Sequence, residues 1–184
     1  GPGAVALTDA GVEAIVDEAH RRGLHTATHA HGGAGVKAAV AAGVDTVEHG
    51  TLLDEEAVDM LVREDVTLVP TLSAPHHIVR NVEAATEEDR TQTEAVYERH
   101  LDSFRRAVEA GVRIAGGTDA GTPFNMHGSN AAELRLMHEY AGAGMETLDA
   151  IVAMTETAAD AVGLDGQGTL DPGTHADLLV VDAD

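Results

Sequence analysis

Residues 26–50 read TATHAHGGAGVKAAVAAGVDTVEHG, and this stretch determines the fold that we expect. A β-prone run at 24–29 is followed by glycines and then by an alanine-rich segment at 35–43 that suits a short helix. A second β-prone run at 44–50 follows at once. A strand, a helix and a strand at this spacing predict two parallel strands joined by a right-handed crossover.

The same alternation continues along the chain. An amphipathic helix precedes the quoted stretch, since Val12, Ile15 and Val16 follow the helical period after a capping Thr8 or Asp9. Downstream the patterns predict a helix at 54–65, a strand at 66–73, a polar stretch at 74–89, a helix that ends at 111, a strand at 111–121, and helices at 129–144 and 147–163. The sequence therefore predicts an α/β fold with parallel strands, and short β-runs near the C-terminus predict a separate small β-element.

The chain of 184 residues is strongly acidic, with 32 aspartates and glutamates against 11 lysines and arginines and a net charge of −21. Because the acidic residues are spread along the whole chain, they indicate solvated surfaces that would repel nucleic acid and anionic membranes. An acidic, lysine-poor surface is typical of halophilic proteins, and an ordinary acidic protein is the alternative. With no cysteines and no apolar run of membrane-spanning length, we expect a cytoplasmic protein without disulfides.

Polar residues that suit metal coordination stand at the ends of the predicted strands. His29 ends the first strand, with His31 close behind; His49 ends the second strand and Asp119 ends the fourth. In parallel β/α folds, functional groups gather at the carboxyl ends of the strands. Imidazole and carboxylate groups are ligands of Zn²⁺ and of other divalent first-row metals. Each residue alone suits a structural hydrogen bond as well, but together they predict a metal site.

Five motifs, taken in order, resemble the C-terminal half of the amidohydrolase superfamily: THAHG at 28–32, AAGVDTVEHGT at 41–51, GGTDAG at 116–121, HGSNAAELRLM at 127–137 and GTLDPGTHADLLVVD at 168–182. The likeness is to the imidazolonepropionase-like and prolidase-like branch, metal-dependent hydrolases on a (β/α)8 TIM-type barrel with a small accessory β-sandwich. The resemblance implies that residues 1–163 supply strands five to eight of such a barrel with their helices. Residues 164–184 would supply C-terminal strands of the accessory β-sandwich.

The resemblance also implies roles for individual residues. His29, His49 and Asp119 match metal ligands of strands five, six and eight, and His49 and Asp119 match catalytic residues, with Asp119 as the proton shuttle. Three histidines would face the substrate: His31, His76 and His127. The implied cofactor is a divalent metal as one or two ions, with zinc favoured over manganese, iron or cobalt. The implied reaction is hydrolysis of an amide, peptide or cyclic C–N bond in a small-molecule substrate by metal-activated water.

Two features of the family have no counterpart in the sequence. One is the His-x-His pair that ends strand one; THAHG at 28–32 could fill that place geometrically, but the order of the following strands argues against it. The other is the carboxylated lysine of strand four, since Lys37 lies within a predicted helix. A complete barrel takes about 250 residues. We therefore expect an enzyme fragment that is inactive alone and associates with an N-terminal half or a second copy. The alternative is a non-catalytic half-barrel or pseudoenzyme that acts as a binding module.

Overall fold

A computed structural model describes residues 6–81, 87–140, 142 and 145–182, apart from the side chains of 87–89. The strands of this part are β1 (Ala27–Gly32), β2 (Thr46–Leu52) and β3 (Thr67–Val69). The helices are α1 (Asp9–Arg21), α2 (Gly33–Ala41), α3 (Glu55–Arg63), α4 (Ser73–Arg80), α5 (Glu87–Glu109), α6 (Ala131–Tyr140), α7 (Thr147–Met154) and α8 (Glu156–Ala161). No helix in these ranges combines the length and the apolar character needed to cross a bilayer.

The strands form one parallel sheet in the order β1, β2, β3, as the alternating sequence pattern predicts. The predicted fourth strand is reduced to a single parallel pairing of Ile114 with Leu68 of β3. Two backbone hydrogen bonds secure this pairing, from Leu68 N to Arg113 O (2.9 Å) and from Ala115 N to Leu68 O (3.0 Å). Sheet order therefore follows chain order across four segments, which is consistent with part of a (β/α)8 barrel.

The two faces of the sheet have different environments. On the face that packs into the core, Val47 and Leu68 are 0% and 1% exposed. Burying side chains of this size contributes about 1.5–3 kcal/mol each. On the opposite face, the register places His29 beside Glu48 and Glu48 beside Val69. His29 is exposed, and Glu48 and Val69 are half-buried, so the polar groups of this face are accessible to a ligand.

Helix α1 begins where the sequence predicts but buries less of its apolar surface than expected. Thr8 caps the helix, because Gly11 N donates to Thr8 Oγ1 (3.3 Å). Val16 is 3% exposed, whereas Ile15 is 56% exposed and Leu24, just past the helix, is 57% exposed. The periodic pattern therefore predicted the helix correctly, while part of its apolar surface lies open in this chain.

Helix α4 begins at Ser73 and otherwise occupies the first part of the stretch 74–89, which the sequence predicts to be a polar connection, so that prediction was wrong. Its own N-cap position, Leu72, has no side chain that could cap the helix. The cap comes from α6 instead, because the Glu133 carboxylate accepts hydrogen bonds from Leu72 N and Ser73 N, both at 2.7 Å. A cap supplied by a residue about 60 positions away cannot be read from local sequence. Residues 82–86 of this stretch lie outside the described residues.

The C-terminal part differs from the sequence prediction in two places. The single helix predicted at 147–163 is broken between α7 and α8, where Gly116 N donates to Ala153 O (2.7 Å) and removes that carbonyl from helical pairing. The described chain after 163 contains no strand, and Val180 there is 94% exposed. The last two residues, 183–184, lie outside the described part. Assignment of this segment to an accessory β-sandwich therefore stays a prediction.

Candidate active site

His49 lies in a β-bulge near the carboxyl end of β2. The backbone of His49 (φ 76°) and Gly50 (φ 56°) is left-handed, and the pairing of β1 with β2 shifts between Ala30 and Gly32. Bulges re-aim side chains, and strained residues of this kind cluster at functional sites. His49 pairs with Ala30, which is buried, yet the His49 ring stacks against His29 on the accessible face of the sheet.

Three imidazole rings meet at the ends of β1 and β2. His29 Nδ1 lies 2.7 Å from His49 Nε2, with the ring centroids 5.0 Å apart. The ring of His31 stacks on His49 at 4.5 Å, with 5° between the ring planes. His31 Nδ1 also lies 2.9 Å from Thr51 Oγ1. Burial, together with the neighbouring His29, lowers the pKa of His31, which favours a neutral ring in the stack.

The other nitrogen of the His49 ring contacts Thr71. Thr71 follows β3, and its backbone is left-handed (φ 50°), which is rare for a β-branched residue. Its Oγ1 lies 2.8 Å from His49 Nδ1. Burial, reinforced by His31 and His29, lowers the pKa of His49 to about 4. His49 is therefore neutral at pH 7, with one protonated and one unprotonated ring nitrogen.

Asp119 belongs to the loop that follows the fourth strand segment, and its backbone is left-handed (φ 51°). Asn125, which is 2% exposed, holds this loop, because its Nδ2 donates to Thr118 O (2.6 Å) and to Asp119 O (3.0 Å). Gly121 N donates to Asn125 O (2.8 Å). These bonds fix the backbone that carries the Asp119 carboxylate. The carboxylate shares a pocket with His49, and its charge partly opposes the lowering of the His49 pKa.

Helix α5 supports the bulge through three side chains at three-residue intervals. The hydrogen bonds run from His100 Nε2 to His49 O (3.0 Å), from Ser103 Oγ to Thr51 O (3.0 Å) and from Arg106 Nη1 to Leu53 O (3.3 Å). Helix positions three apart share a face, and strand residues two apart point the same way. Side chains three apart on α5 can therefore reach carbonyl groups two apart along and just past β2. Burial lowers the pKa of His100 to about 4, so its ring is a neutral donor at pH 7. The left-handed backbone of the bulge is thus held from the helix side.

A pocket of about 280 Å³ opens in front of these residues. Six of its lining residues are histidine, threonine or aspartate residues of the site: His31, His49, Thr51, Thr71, His100 and Asp119. The other lining residues are mainly apolar: Ala74, Pro75, Ile78, Val96, Thr122 and Pro123. No lysine or arginine lines the pocket within the described part of the chain. The arrangement suits a small molecule that carries a polar reacting group next to an apolar group.

The sequence model of the amidohydrolase family matches residues 1–184, the whole of this chain. The chain belongs to the amidohydrolase family. The family assignment that the ordered motifs predict is therefore confirmed.

Amidohydrolase relatives resemble this chain in sequence and in structure. Ochratoxinase of Aspergillus niger is 33% identical over 174 residues, which cover 93% of this chain and 35% of that protein. Its crystal structure matches with a TM-score of 0.85 at 32% identity, over 96% of this chain and 40% of that one. The crystal structure of a Xaa-Pro dipeptidase with methionine bound in the active site matches with a TM-score of 0.81 at 35% identity, over 95% and 43%. Imidazolonepropionase of Salinispora tropica is 30% identical over 178 residues, 92% of this chain and 39% of that protein.

The chain spans 35% and 39% of the length of these two curated relatives. Within it, four of the residues that the sequence selected for the site lie together. His29, His31 and His49 are in contact, and Asp119 lines the same pocket as His31 and His49. The convergence expected of strand ends in a parallel β/α fold is therefore present for these side chains.

The two other histidines predicted to face the substrate are not among the residues that line the described pocket. His76 is 4% exposed, and its Nδ1 lies 2.9 Å from the hydroxyl of Tyr97, so its ring is occupied between α4 and α5. His127 is exposed and lies beside Gly121 in the loop after the fourth strand segment. That loop reaches the pocket through Thr122 and Pro123 instead.

The three predicted metal ligands do not form one cluster. Among the residues that the structure describes, no group of three or more histidine, aspartate or glutamate side chains is placed to hold an ion. His29 Nδ1 and His49 Nε2 contact each other directly at 2.7 Å, whereas two nitrogens on one tetrahedral zinc at about 2.0–2.1 Å stand about 3.3 Å apart. The pair still fits part of a metal site, because two imidazole nitrogens face each other and Thr71 orients one ring from behind. Zinc takes three or four protein ligands, and this pair supplies two of them.

Sequence reasoning did not select four residues that the structure brings to the site: Glu48, Thr71, His100 and Asn125. Thr71 could have been selected, because it lies just past the carboxyl end of the third strand, as His49 lies near the carboxyl end of the second. Glu48 pairs with His29, and burial raises the pKa of its carboxyl group. His100 and Asn125 act on backbone carbonyl groups from a helix and from a loop, and the sequence contains no pattern that indicates such contacts.

Proposed function

We propose that this chain is part of a hydrolase that cleaves C–N bonds of small molecules, in an amide, a peptide or a cyclic amide, by means of metal-activated water. The observation that carries the proposal is the pocket that His31, His49 and Asp119 line together with several apolar residues. Membership of the amidohydrolase family supports the reaction class. Likeness to ochratoxinase and to a Xaa-Pro dipeptidase supports an amide or peptide bond as the target.

We assign the metal to the imidazole pair His29 and His49, with Asp119 as the third protein group. Zinc is the metal we propose, with manganese, iron or cobalt as alternatives, as one or two ions. When bound, such a metal lowers the pKa of a bound water toward 7 and polarises a carbonyl group. The neutral His49 ring supports the assignment, because metal ligands must be unprotonated at the coordinating nitrogen.

Asp119 is the proton carrier in this proposal. Its carboxylate would accept a proton from the attacking water and deliver that proton to the leaving nitrogen, first as general base and then as general acid. Asn125 supports this role, because it holds the peptide groups on both sides of Asp119 and so limits movement of the carboxylate. His49 would either bind the metal or donate a hydrogen bond to the carbonyl oxygen of the substrate.

The pocket walls suggest the kind of substrate. His31 lines the pocket, where its ring would contact the scissile group. Ile78 and Val96 are among the apolar lining residues, and no described lysine or arginine is present there to bind an anion. We propose that an uncharged apolar group of the substrate packs against Ile78 and Val96. A carboxylate elsewhere on the substrate would have to be bound by residues outside the described pocket.

We also propose that these 184 residues are inactive alone and correspond to strands five to eight of a barrel, with residues 164–184 belonging to an accessory β-sandwich. The exposed His29 on β1 and the exposed Ile15 and Leu24 beside α1 support the need for a further packing partner. An N-terminal half of the barrel or a second copy of the chain would provide that partner. A metal ion held by the imidazole pair His29 and His49 would then gain its remaining ligands from the added part.

The test compares the 184-residue chain with a version extended by the family's N-terminal half-barrel. Each is loaded with Zn²⁺ or Mn²⁺ and assayed on N-acyl amino acids and dipeptides, with elemental analysis of the metal content. We expect turnover and bound metal only in the extended version. Turnover by the 184-residue chain alone would contradict the proposed inactivity, and a metal-loaded extended protein without turnover on any amide would contradict the proposed hydrolase function.

The second candidate function is a non-catalytic half-barrel that binds a partner or ligand. It is favoured by one observation, the lack of a three-ligand group among the described residues. Under this alternative the extended protein would bind substrate analogues without hydrolysing them, and removal of metal would leave that binding unchanged. Binding measured by calorimetry with and without a chelator therefore separates the two candidates.

A further inference from the structure

Glu133 of α6 is a buried carboxylate with no role in the proposed chemistry. The residue is 0% exposed, although glutamate is rarely buried completely. Its carboxylate accepts three hydrogen bonds from the segment that follows β3: from Leu72 N (2.7 Å), from Ser73 N (2.7 Å) and from Ser73 Oγ (2.6 Å). Burial raises the pKa of Glu133 to about 7, so enclosing this group has a cost that its three donors offset in part.

The segment that Glu133 holds begins with Thr71, whose left-handed backbone (φ 50°) is unfavourable for a β-branched side chain. A strained conformation of this kind persists only where its surroundings enforce it. Thr71 is joined directly to Leu72, and the bond from Leu72 N to Glu133 Oε1 fixes the peptide unit between these two residues. Glu133 therefore restrains the backbone conformation of Thr71.

Thr71 in turn contacts the catalytic histidine of the proposed function. Its Oγ1 lies 2.8 Å from His49 Nδ1, and the opposite ring nitrogen, Nε2, lies 2.7 Å from His29 Nδ1. The partner of one imidazole nitrogen determines which nitrogen carries the proton. The Thr71 hydroxyl oxygen can accept a hydrogen bond from a protonated Nδ1, and in that arrangement the Nε2 lone pair is directed at His29.

We propose that Glu133 is a positioning residue that, through the turn 71–73 and the Thr71 hydroxyl, holds the His49 ring in the Nδ1-protonated tautomer. Only one part of this inference rests on the proposed function, namely that the free Nε2 of His49 serves to bind a ligand. The chain of contacts from Glu133 to His49 stands on geometry alone.

The test reads the tautomer directly by nitrogen-15 NMR of the His49 ring in the 184-residue chain, without metal, at pH 7. In the wild type the two ring nitrogens should have well-separated shifts, with the proton on Nδ1. In Glu133→Gln the amide NH2 group replaces one carboxylate oxygen and so opposes one backbone donor, either Leu72 N or Ser73 N, and the turn loosens. We expect the two His49 shifts to move toward a common average, as they do when tautomers exchange.

Two control variants on α6 separate this effect from general loss of stability. Glu139→Gln changes the same functional group in an exposed ion pair with Arg135 and should leave the His49 shifts unchanged. Leu136→Val removes a methylene group from a residue that is 0% exposed and should lower stability without moving the shifts. If Leu136→Val moves them as far as Glu133→Gln does, the positioning role is overturned.

Unchanged His49 shifts in a folded Glu133→Gln variant, or a wild-type ring protonated on Nε2, also overturn the proposal. If Glu133→Gln does not fold, the His49 shifts are measured in Ser73→Ala instead. This variant removes one of the three donors to Glu133 and keeps the two backbone hydrogen bonds. A movement of the two His49 shifts toward a common average in Ser73→Ala supports the proposal, and no movement overturns it. Because the readout needs neither metal nor turnover, its result is independent of whether the hydrolase function holds.

Discussion

His29 Nδ1 and His49 Nε2 lie 2.7 Å apart, although 20 residues and a helix separate the two histidines in the chain. The contact exists because β1 and β2 are parallel neighbours and because the bulge at His49 turns its ring toward the accessible face of the sheet. The two nitrogens share one proton position, so the tautomer of one ring is tied to that of the other. Any change that re-aims His49 should therefore also be detected at His29.

Replacement of Thr71 by valine should destabilise the fold and disturb the His49 ring. Valine has nearly the same shape as threonine but lacks the hydroxyl group, so His49 Nδ1 is left buried without its partner. We expect a decrease of about 1–3 kcal/mol in the free energy of unfolding, measured by urea denaturation. Thr71→Ser keeps the hydroxyl and should retain most of the stability. Equal losses in the two variants would show that the hydroxyl group makes no contribution.

Stability should rise with pH between about 4.5 and 6.5. His76 and His100 are 4% and 2% exposed, and burial lowers the pKa of each to about 4. Unfolded histidines titrate near 6.5, so below that pH the unfolded chain binds protons that the folded chain does not. Glu133 acts in the opposite sense, because burial raises its pKa to about 7 and its contribution is lost as pH rises from about 4.5. His49, whose pKa is also lowered to about 4, acts in the same sense as these two histidines, so acidification should destabilise the protein.

Urea denaturation at pH 4.5, 5.5, 6.5 and 7.5, at fixed ionic strength and with a chelator, measures this dependence. The upper limit is about 1.4 kcal/mol per pH unit for each histidine. The matched variant is His100→Gln, which keeps a donor for His49 O but cannot become charged. Its free energy of unfolding should depend less steeply on pH than that of the wild type. A wild-type free energy that is highest at pH 4.5 would contradict the assignment of neutral, buried histidines.

The net charge of −21 predicts that salt stabilises the protein. At 0.1 M salt the Debye length is about 10 Å, and at 1 M it is about 3 Å, so repulsion between surface carboxylates is largely removed over this range. We expect the urea midpoint to rise between 0.1 and 1 M KCl, and by a similar amount in NaCl, because screening depends on ionic strength. An unchanged or lower midpoint in both salts would contradict the interpretation of the acidic surface as a salt adaptation.

The parts of the fold that the sequence predicts correctly are those with local causes. The helical period and the Thr8 cap predict α1, and the alternation of strands and helices predicts the parallel order of the sheet. Helix α4 was missed because its cap is the Glu133 carboxylate, about 60 residues away. The break between α7 and α8 was missed because the competing donor is Gly116, which comes from a different segment.

In the candidate site, too, the features that the sequence predicts correctly are those with local causes. His29, His31 and His49 could be predicted to meet because each lies at the end of a strand, and strand ends converge. The bulge at His49 could not be predicted, since it depends on the packing of α5 against β2, with His100 bonded to the His49 carbonyl group. His76 was assigned to the substrate on the basis of its position after β3, but a hydrogen bond to Tyr97 holds it elsewhere.

Ile78 should determine the preference of the extended enzyme for apolar groups. Ile78 is one of the apolar residues that line the pocket and is half-buried. In Ile78→Ala we expect KM for amides with a bulky apolar group to increase about 10-fold, with little change for small amides, because a few methylene groups in an apolar pocket contribute about 1–3 kcal/mol. Leu148→Ala, at a position on α7 that is 73% exposed and outside the pocket, is the control. An equal change for large and small amides would exclude Ile78 from substrate selection.

Replacement of Asp119 by asparagine should abolish most of the activity and leave the fold intact. Asparagine tolerates the left-handed backbone (φ 51°) of this position, and the bonds from Asn125 are made to backbone oxygens that the substitution does not alter. The side chain, however, can no longer accept and return a proton. We expect kcat of the metal-loaded extended protein to fall about 10²–10⁴-fold, while the urea midpoint stays within error of the wild type. Asp102→Asn, on the exposed face of α5, should change neither quantity. A kcat close to that of the wild type in folded Asp119→Asn would remove the proton-carrying role from this residue and transfer the search for the base to Glu48, which pairs with His29 on the same face of the sheet.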